Sequence, residues 1–267
     1  MRHGIWIILA ALLMGGPQAG LTQTKDRLDR RDKLFGFESV GRLESRGGNC
    51  TAALITRDVA LTAAHCVYRK GTDFVFRAGY SDGAAIATRK AVDVVIAPGY
   101  LEAKKTGDWV SAIANDVALV RLIIPIYDHG ANPYQLAKTP REGAKLTLAS
   151  YGQGRMEALT LERGCSLNTQ YRQGIVGMDC DATFGSSGAP VFVQVAGTQR
   201  IFSIVSSGTN SETGEKITYG VELAKHVPKL LQVLRNRRAL APVGVGARRV
   251  RIGERTEGGA RFVRPGG

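Results

Sequence analysis

The 267-residue chain lacks several features that define large classes of protein. Its longest apolar run, Ile5 to Met14, has ten residues, whereas a membrane-spanning helix needs about 20. No segment repeats at a fixed period. Only four cysteines are present, without a Cys-x-x-Cys pair, so a metal site of the zinc type is not expected. The remaining composition, 44% hydrophobic with 33 glycines, is that of a globular protein rich in turns.

Acidic residues are fewer than basic ones, and most of the excess positive charge lies at the two ends of the chain. The net charge is +13, of which residues 235–267 contribute +7 and residues 1–33 contribute +3. Residues 34–234 therefore carry only +3. A nucleic-acid-binding domain concentrates basic charge in its folded part. We therefore expect no specific nucleic-acid partner.

The first residues have the pattern of a secretory signal. Arg2 and His3 precede the apolar run, and small or turn-forming residues follow it at positions 15–20. We predict a cleaved signal peptide over residues 1–20, with a membrane anchor as the alternative, and a basic segment over residues 21–33. The expected location is secreted or periplasmic.

Export would place the four cysteines where disulfide bonds can form. Cys50, Cys66, Cys165 and Cys180 allow three pairings. They fall into two pairs that are close in sequence, so we favour Cys50–Cys66 and Cys165–Cys180. Buried free thiols are the alternative.

Between residues 51 and 223 short apolar strands alternate with turn signals, which favours a β-sandwich or β-barrel. A proline-bearing stretch, Ile124 to Pro140, separates two strand-rich halves. One helix is predicted over residues 223–235, and the Gly- and Arg-rich residues 242–267 are predicted to be a disordered tail. The predicted strands are 51–56, 74–78, 91–96, 117–122, 145–150, 189–193, 201–205 and 217–221.

Three separate segments carry residues whose side chains are reactive or ionisable. They contain His65, Asp116 and Ser187. Each is ordinary by itself, since a His beside a Cys, an Asp before an apolar strand and a Gly-Ser-Ser-Gly run usually have structural roles. Together they supply a hydroxyl nucleophile, a base to take its proton and an acid to fix that base, as acyl transfer requires. The order His, Asp, Ser is one of the known orders for this chemistry.

All three segments resemble motifs of the trypsin- and chymotrypsin-like serine proteases. The segments are Thr62-Ala63-Ala64-His65-Cys66, Asn115-Asp116-Val117-Ala118-Leu119 and Gly185-Ser186-Ser187-Gly188-Ala189-Pro190. The separations of 51 and 71 residues between the three chemical groups suit that family. The resemblance covers about residues 40–234 and implies a serine endopeptidase that acts on proteins or peptides.

The resemblance also implies an all-β fold, with two six-stranded antiparallel β-barrels and a C-terminal α-helix. The protease domain is expected over residues 34–241. Its first barrel would span about 34–130, its second about 140–223 and its helix about 223–235. The active site would lie in the cleft between the barrels, and a monomer is expected.

Roles carry over from the family one residue at a time. Ser187 would be the nucleophile, His65 the base, and Asp116 the group that holds His65 in the correct tautomer. The backbone N–H groups of Gly185 and Ser187 would form the oxyanion hole. The Cys50–Cys66 bond would clamp the chain beside His65. This mechanism needs no metal and no cofactor.

The position before the nucleophile departs from the animal digestive members of the family. Those members carry an Asp that pairs with a new N-terminus after zymogen cleavage, whereas this chain has Ser186 and no Ile-Val-Gly-Gly start. Activation by that ion pair is therefore not expected. The chain is more similar to bacterial secreted relatives, including the glutamyl endopeptidase group, which also have a non-acidic residue there.

Substrate preference stays open at this level. Asp181 lies six residues before Ser187, where an acid in trypsin-like members binds Arg or Lys of the substrate. A structural Asp in a disulfide-bound loop is the alternative. Ser206 and Gly208 belong to a segment that resembles the one pairing with substrate backbone. A glutamate preference is less expected, because Val205 stands where those enzymes tend to have His.

The basic ends leave a second hypothesis from another class. Some members of this fold have lost a triad residue and bind anionic surfaces, which the Arg-rich tail from Arg235 to Arg264 would suit. A solvated tail without a specific role is the simpler interpretation. The presence of all three triad residues favours an enzyme.

Overall fold

The computed structural model describes residues 25–240, apart from residues 31, 129 and 211–214. The predicted signal peptide (1–20) and Arg-rich tail (242–267) lie outside these described residues. The predicted fold class is confirmed, since two closed six-stranded antiparallel barrels are followed by a C-terminal helix.

One short strand, β1 (Lys25–Leu28), precedes the first barrel. The barrel's own strands are β2 (Val40–Ser45), β3 (Gly48–Thr56), β4 (Val59–Thr62), β5 (Val75–Ala78), β6 (Ala87–Ile96) and β7 (Ala118–Leu122). They close in the order β2-β3-β4-β7-β6-β5. Leu54, Leu61, Phe76 and Leu119 are completely buried in its core, as expected for apolar residues on the inward face of a closed sheet.

The second barrel is built the same way from later strands. They are β8 (Lys145–Ser150), β9 (Leu159–Gln170), β10 (Ile175–Met178), β11 (Pro190–Val195), β12 (Thr198–Asn210) and β13 (Lys216–Val221). Pairing runs β9-β10-β13-β12-β11-β8, and β8 closes the barrel by pairing with β9. Strand β1 adds to β9, with Lys25 opposite Glu162 and Leu28 opposite Leu159. Strand β1 therefore pairs with the second barrel, although the strands of the first barrel follow it in sequence.

Aromatic residues join the two barrels. Phe192 of β11 packs edge-on against Phe37 and Tyr134, with ring centroids 5.5 and 4.8 Å apart. Tyr151, which follows β8, is completely buried and donates its hydroxyl to the Tyr80 carbonyl at 3.0 Å. Edge-on ring pairs contribute about 0.5–1.5 kcal/mol beyond the burial of their area. This part of the interface between the barrels is therefore aromatic, and the Tyr151 hydroxyl buried there has a hydrogen-bond partner.

Helices are more numerous than the sequence predicted. They are α1 (Ala64–Val67), α2 (Pro98–Thr106), α3 (Trp109–Ala114) and α4 (Val227–Leu240). Only the last was predicted. Helix α2 begins with proline at its first position and ends at Gly107, whose φ is +76°, but it buries only Tyr100 and Ala103 and so lacks an apolar periodicity. None of the described helices has the length and apolar character needed to cross a membrane.

Helix α4 folds back onto the first barrel. Its buried residues Val227, Leu230 and Leu234 face the core, and the helix contacts β6 and β7. Arg237 donates to Asp93 of β6 at 2.9 Å. The start of the predicted helix, residues 223–225, is a separate 3₁₀ turn, and α4 itself begins at Val227.

Both favoured disulfide bonds are present. Cys50–Cys66 joins β3 to α1, and Cys165–Cys180 joins β9 to the segment that leads to Ser187. No cysteine is left free, and all four lie within the described residues. The alternative of buried free thiols is therefore wrong.

His226, just before α4, ties that helix to α3. Its Nε2 donates to the carbonyl of Ala114 at 3.0 Å. Burial lowers the pKa of His226 below its ordinary 6.5, and the neighbouring Lys225 and Lys229 act in the same direction. The folded protein therefore favours the neutral ring, so its contribution to stability is complete above about pH 6.5. That contribution is lost as pH falls, because the unfolded chain then binds a proton more readily.

We expect His226→Gln, which keeps a side-chain N–H donor, to flatten the decline of stability between about pH 7 and 5. Urea unfolding midpoints measured across that range test this. Lys229→Gln, on the exposed side of α4, is the matched control and should keep most of the slope. A variant with the wild-type slope would contradict the assignment.

Candidate active site

His65 and Asp116 form a tightly bonded pair on the first barrel. His65 is the second residue of α1, and Asp116 lies between α3 and β7 with only 2% of its surface exposed. His65 Nδ1 donates to Asp116 Oδ2 at 2.6 Å, and the His65 backbone N–H donates to Oδ1 at 2.8 Å. The carboxylate therefore fixes both the ring and its tautomer. Nε2 is left with a lone pair that can accept a proton.

A third donor reaches the same carboxylate from the second barrel. Ser206, buried in β12, donates its hydroxyl to Asp116 Oδ2 at 2.6 Å. Hydrogen bonds to a charged acceptor are stronger than neutral ones. The Ser206 side chain is thus directed to Asp116, and its predicted role in substrate binding stays a prediction.

The loop that carries Ser187 is fixed by its glycines. Gly185 and Gly188 have φ of +90° and +76°, a region that side chains resist. A Cβ at Gly188 would lie 2.2 Å from Thr62 Oγ1, and one at Gly185 would lie 2.4 Å from the Tyr151 carbonyl oxygen. No larger residue fits either position without displacing the loop.

Thr51 of β3 holds this loop against the first barrel. Its backbone N–H donates to the Ser187 carbonyl, and its hydroxyl donates to the Gly185 carbonyl, both at 2.9 Å. From the other side, the Gly188 N–H donates to the Val205 carbonyl of β12 at 2.8 Å. Ser187 is thus presented, partly exposed, between the two barrels.

The carbonyl groups of this loop are engaged, whereas two of its N–H groups are not. Within residues 25–240 as described, neither the Gly185 N–H nor the Ser187 N–H donates to a protein acceptor. Two free N–H groups in a fixed loop beside a hydroxyl are what an oxyanion requires. The same described residues contain no hydrogen bond from Ser187 Oγ to His65 Nε2, and such bonds often tighten only when substrate is bound.

The family model for trypsin matches residues 36–229, which is most of the chain. The chain belongs to the trypsin family. It is a serine endopeptidase and therefore a hydrolase. No curated protein matches the sequence as a relative.

A solved structure entitled "Structure of Glu endopeptidase in complex with MPD" has the same fold as this trypsin-family chain. The TM-score is 0.63 at 18% identity, and the match covers 80% of this chain and 96% of that one. At this identity the likeness extends to the fold alone.

Ser186 stands directly before the nucleophile, where digestive trypsin-family members carry an acid, and its hydroxyl joins a hydrogen-bond network. It is completely buried, donates to Ser150 Oγ at 3.1 Å and accepts from the Thr183 N–H at 3.2 Å. A neutral hydroxyl cannot form an ion pair with a cleaved N-terminus. That this chain does not use such an ion pair for activation stays a prediction.

Asp181 has partners from its own chain. Lys25 donates to Oδ2 and Lys216 donates to Oδ1 at 2.6 Å. Its backbone N–H donates to both carboxylate oxygens of Glu162 at 3.0 Å. Gly208 lies in β12, opposite Thr218 in β13, and is exposed. The substrate-binding roles of Asp181 and Gly208 stay predictions.

Two clusters of possible metal ligands occur among the described residues. One joins His65 with Cys50 and Cys66, and the other joins Asp179 with Cys165 and Cys180. Each contains both sulfurs of a disulfide bond, and a disulfide offers no thiolate to a metal. Neither cluster has the donor set of a metal site.

Sequence reasoning missed Thr51, and it named Ser206 without its contact to Asp116. The Thr51 hydroxyl and the Ser206 hydroxyl act on segments 134 and 90 residues away. Ser206 had a weak signal, because its segment resembled one that borders the substrate. Thr51 had none.

We expect Ser206→Ala to lower kcat about tenfold or more with little change in KM, because a charge-assisted bond of about 1.5–3 kcal/mol to Asp116 is lost. Steady-state kinetics on a peptide substrate measure this. The half-exposed neighbour Ser207 provides the control, since Ser207→Ala should leave kcat near wild type. Equal losses in the two variants would count against a positioning role for Ser206.

Proposed function

We propose that the protein is a secreted serine endopeptidase that cleaves peptide bonds through an acyl-enzyme on Ser187. Ser187 Oγ attacks the substrate carbonyl while His65 Nε2 takes its proton. The Gly185 and Ser187 N–H groups stabilise the oxyanion, and His65 then returns the proton to the leaving amine. Water activated by His65 releases the acid product and restores Ser187.

One observation carries this proposal above the others. The buried Asp116 accepts from His65 Nδ1 at 2.6 Å, which leaves Nε2 as the basic atom. An imidazole in this tautomer is the proton acceptor that a serine nucleophile needs. The fixed glycine loop supports the same chemistry, since it places Ser187 between the barrels with two N–H groups free.

The alternative is a protein of the same fold that binds anionic surfaces without catalysis. Such a protein has no need for a buried carboxylate with three donors. The contacts around Asp116 therefore favour the enzyme. Surface binding by the Arg-rich tail stays a prediction, since residues 242–267 lie outside the described part of the chain.

Two further features bear on location and specificity. The Cys50–Cys66 and Cys165–Cys180 bonds suit an oxidising compartment, which supports secretion or a periplasmic location.

A preference for Arg or Lys would depend on Asp181, whose carboxylate already has two lysine partners. We therefore propose the endopeptidase activity without that preference.

A fluorophosphonate probe tests the nucleophile directly. We expect wild-type protein to be labelled and Ser187→Ala to fall to background, because only an activated hydroxyl reacts with the probe. Ser207→Ala should be labelled like wild type, which controls for other serines. Folded wild-type protein that stays unlabelled, before and after limited proteolysis, would favour the binding-protein alternative.

A further inference from the structure

Asp181 lies on the segment that leads into the nucleophile loop. This segment borders the β12–β13 hairpin, because the Thr218 hydroxyl of β13 donates to the Cys180 carbonyl at 2.5 Å. The same hairpin contacts the nucleophile loop through the Val205 carbonyl and the Gly188 N–H. The segment from Cys180 to Gly188 therefore runs along this hairpin, and Asp181 lies on it six residues before Ser187, at the position predicted to contact a substrate side chain.

Each oxygen of the Asp181 carboxylate is paired with a lysine of this chain. Lys25 comes from the N-terminal strand β1, and Lys216 from the start of β13. The Asp181 and Lys25 side chains are only 28% and 24% exposed, so solvent screens their attraction little. A third cation arriving at Asp181 would meet two positive charges at contact distance.

The surroundings are balanced in charge. Glu162 is 2% exposed and holds the Asp181 backbone with both oxygens. Arg155 and Asp179 lie close enough to act electrostatically on this group. With the two lysines, the region has three positive and three negative charges. Burial raises the pKa of Glu162 and lowers the pKa of Lys25, so this is a desolvated cluster with little unpaired charge.

The register of β1 makes the pairing specific. Lys25 lies directly opposite Glu162 in the β1–β9 ladder, and its ammonium extends beyond Glu162 to Asp181. The strand thus brings a positive charge from the N-terminal segment to the segment that precedes Ser187. Loss of Lys25 would leave Asp181 with one partner and an oxygen open to another cation.

We propose that Lys25 and Lys216 neutralise Asp181, so that the enzyme cleaves after uncharged residues rather than after Arg or Lys, with the N-terminal strand as a determinant of specificity. This inference rests on the proposed endopeptidase function of the same site. Asp181 then serves as the anchor of β1 and not as a receptor for a substrate cation.

The test compares kcat/KM for matched peptide substrates that differ only in the residue before the cleaved bond: Leu, Arg or Glu. Wild type should favour Leu over Arg by more than about tenfold, since like charges placed together oppose binding. Lys25→Gln and Lys216→Gln should each raise the Arg-to-Leu ratio by about tenfold. Lys216 is largely exposed, so its variant should fold even where Lys25→Gln does not.

Two further variants make the test specific. Lys25→Gln combined with Asp181→Asn should return the Arg-to-Leu ratio to wild type, because the gain depends on an uncovered carboxylate. Lys33→Gln, on the same N-terminal segment but paired with Asp29, should change nothing.

A wild-type enzyme that prefers Arg or Glu overturns the inference, as does a mature enzyme that lacks Lys25. Lysine variants with an unchanged ratio also overturn it. Fluorophosphonate labelling keeps the two proposals apart. A labelled enzyme with the wrong preference refutes only the role of the lysines, whereas an unlabelled one refutes the endopeptidase itself.

Discussion

A single buried carboxylate, that of Asp116, constrains how the two barrels meet. An unpaired charge at this depth would cost several kcal/mol, so its partners must be in place in the folded protein. Two donors come from His65 on the first barrel and one from Ser206 on the second. Contacts within the first barrel orient the proton-accepting imidazole, and the docked second barrel supplies the third donor to its carboxylate partner. Docking of the barrels therefore completes the set of donors around Asp116.

The sequence was most informative about features that depend on residues close together in the chain. The His, Asp and Ser segments could be located because each has a short motif, and the barrels because their strands are short and separated by turn residues. The close pairs of cysteines also indicated the correct disulfide bonds. Each of these signals lies within a window of a few to some sixteen residues.

The sequence was least informative where structure depends on distant partners. Strand β1, Lys-Asp-Arg-Leu, has none of the apolar alternation of a strand and forms because β9 offers it a ladder. The same holds for Thr51, whose hydroxyl reaches a carbonyl in another barrel. Helices α2 and α3 bury only two residues each, too few for a periodic pattern. The two lysine partners of Asp181 are likewise far from it in sequence, so no local motif indicated these ion pairs.

The placement of β1 and α4 has a consequence for the integrity of the molecule. The first described strand pairs with β9 at the outside of the second barrel, while the last described helix packs on β6 and β7 of the first barrel. The N-terminal strand thus contacts the C-terminal barrel, and the C-terminal helix contacts the N-terminal barrel. The two barrels are therefore joined by strand pairing and helix packing at both ends of the described chain, in addition to the peptide connection between them.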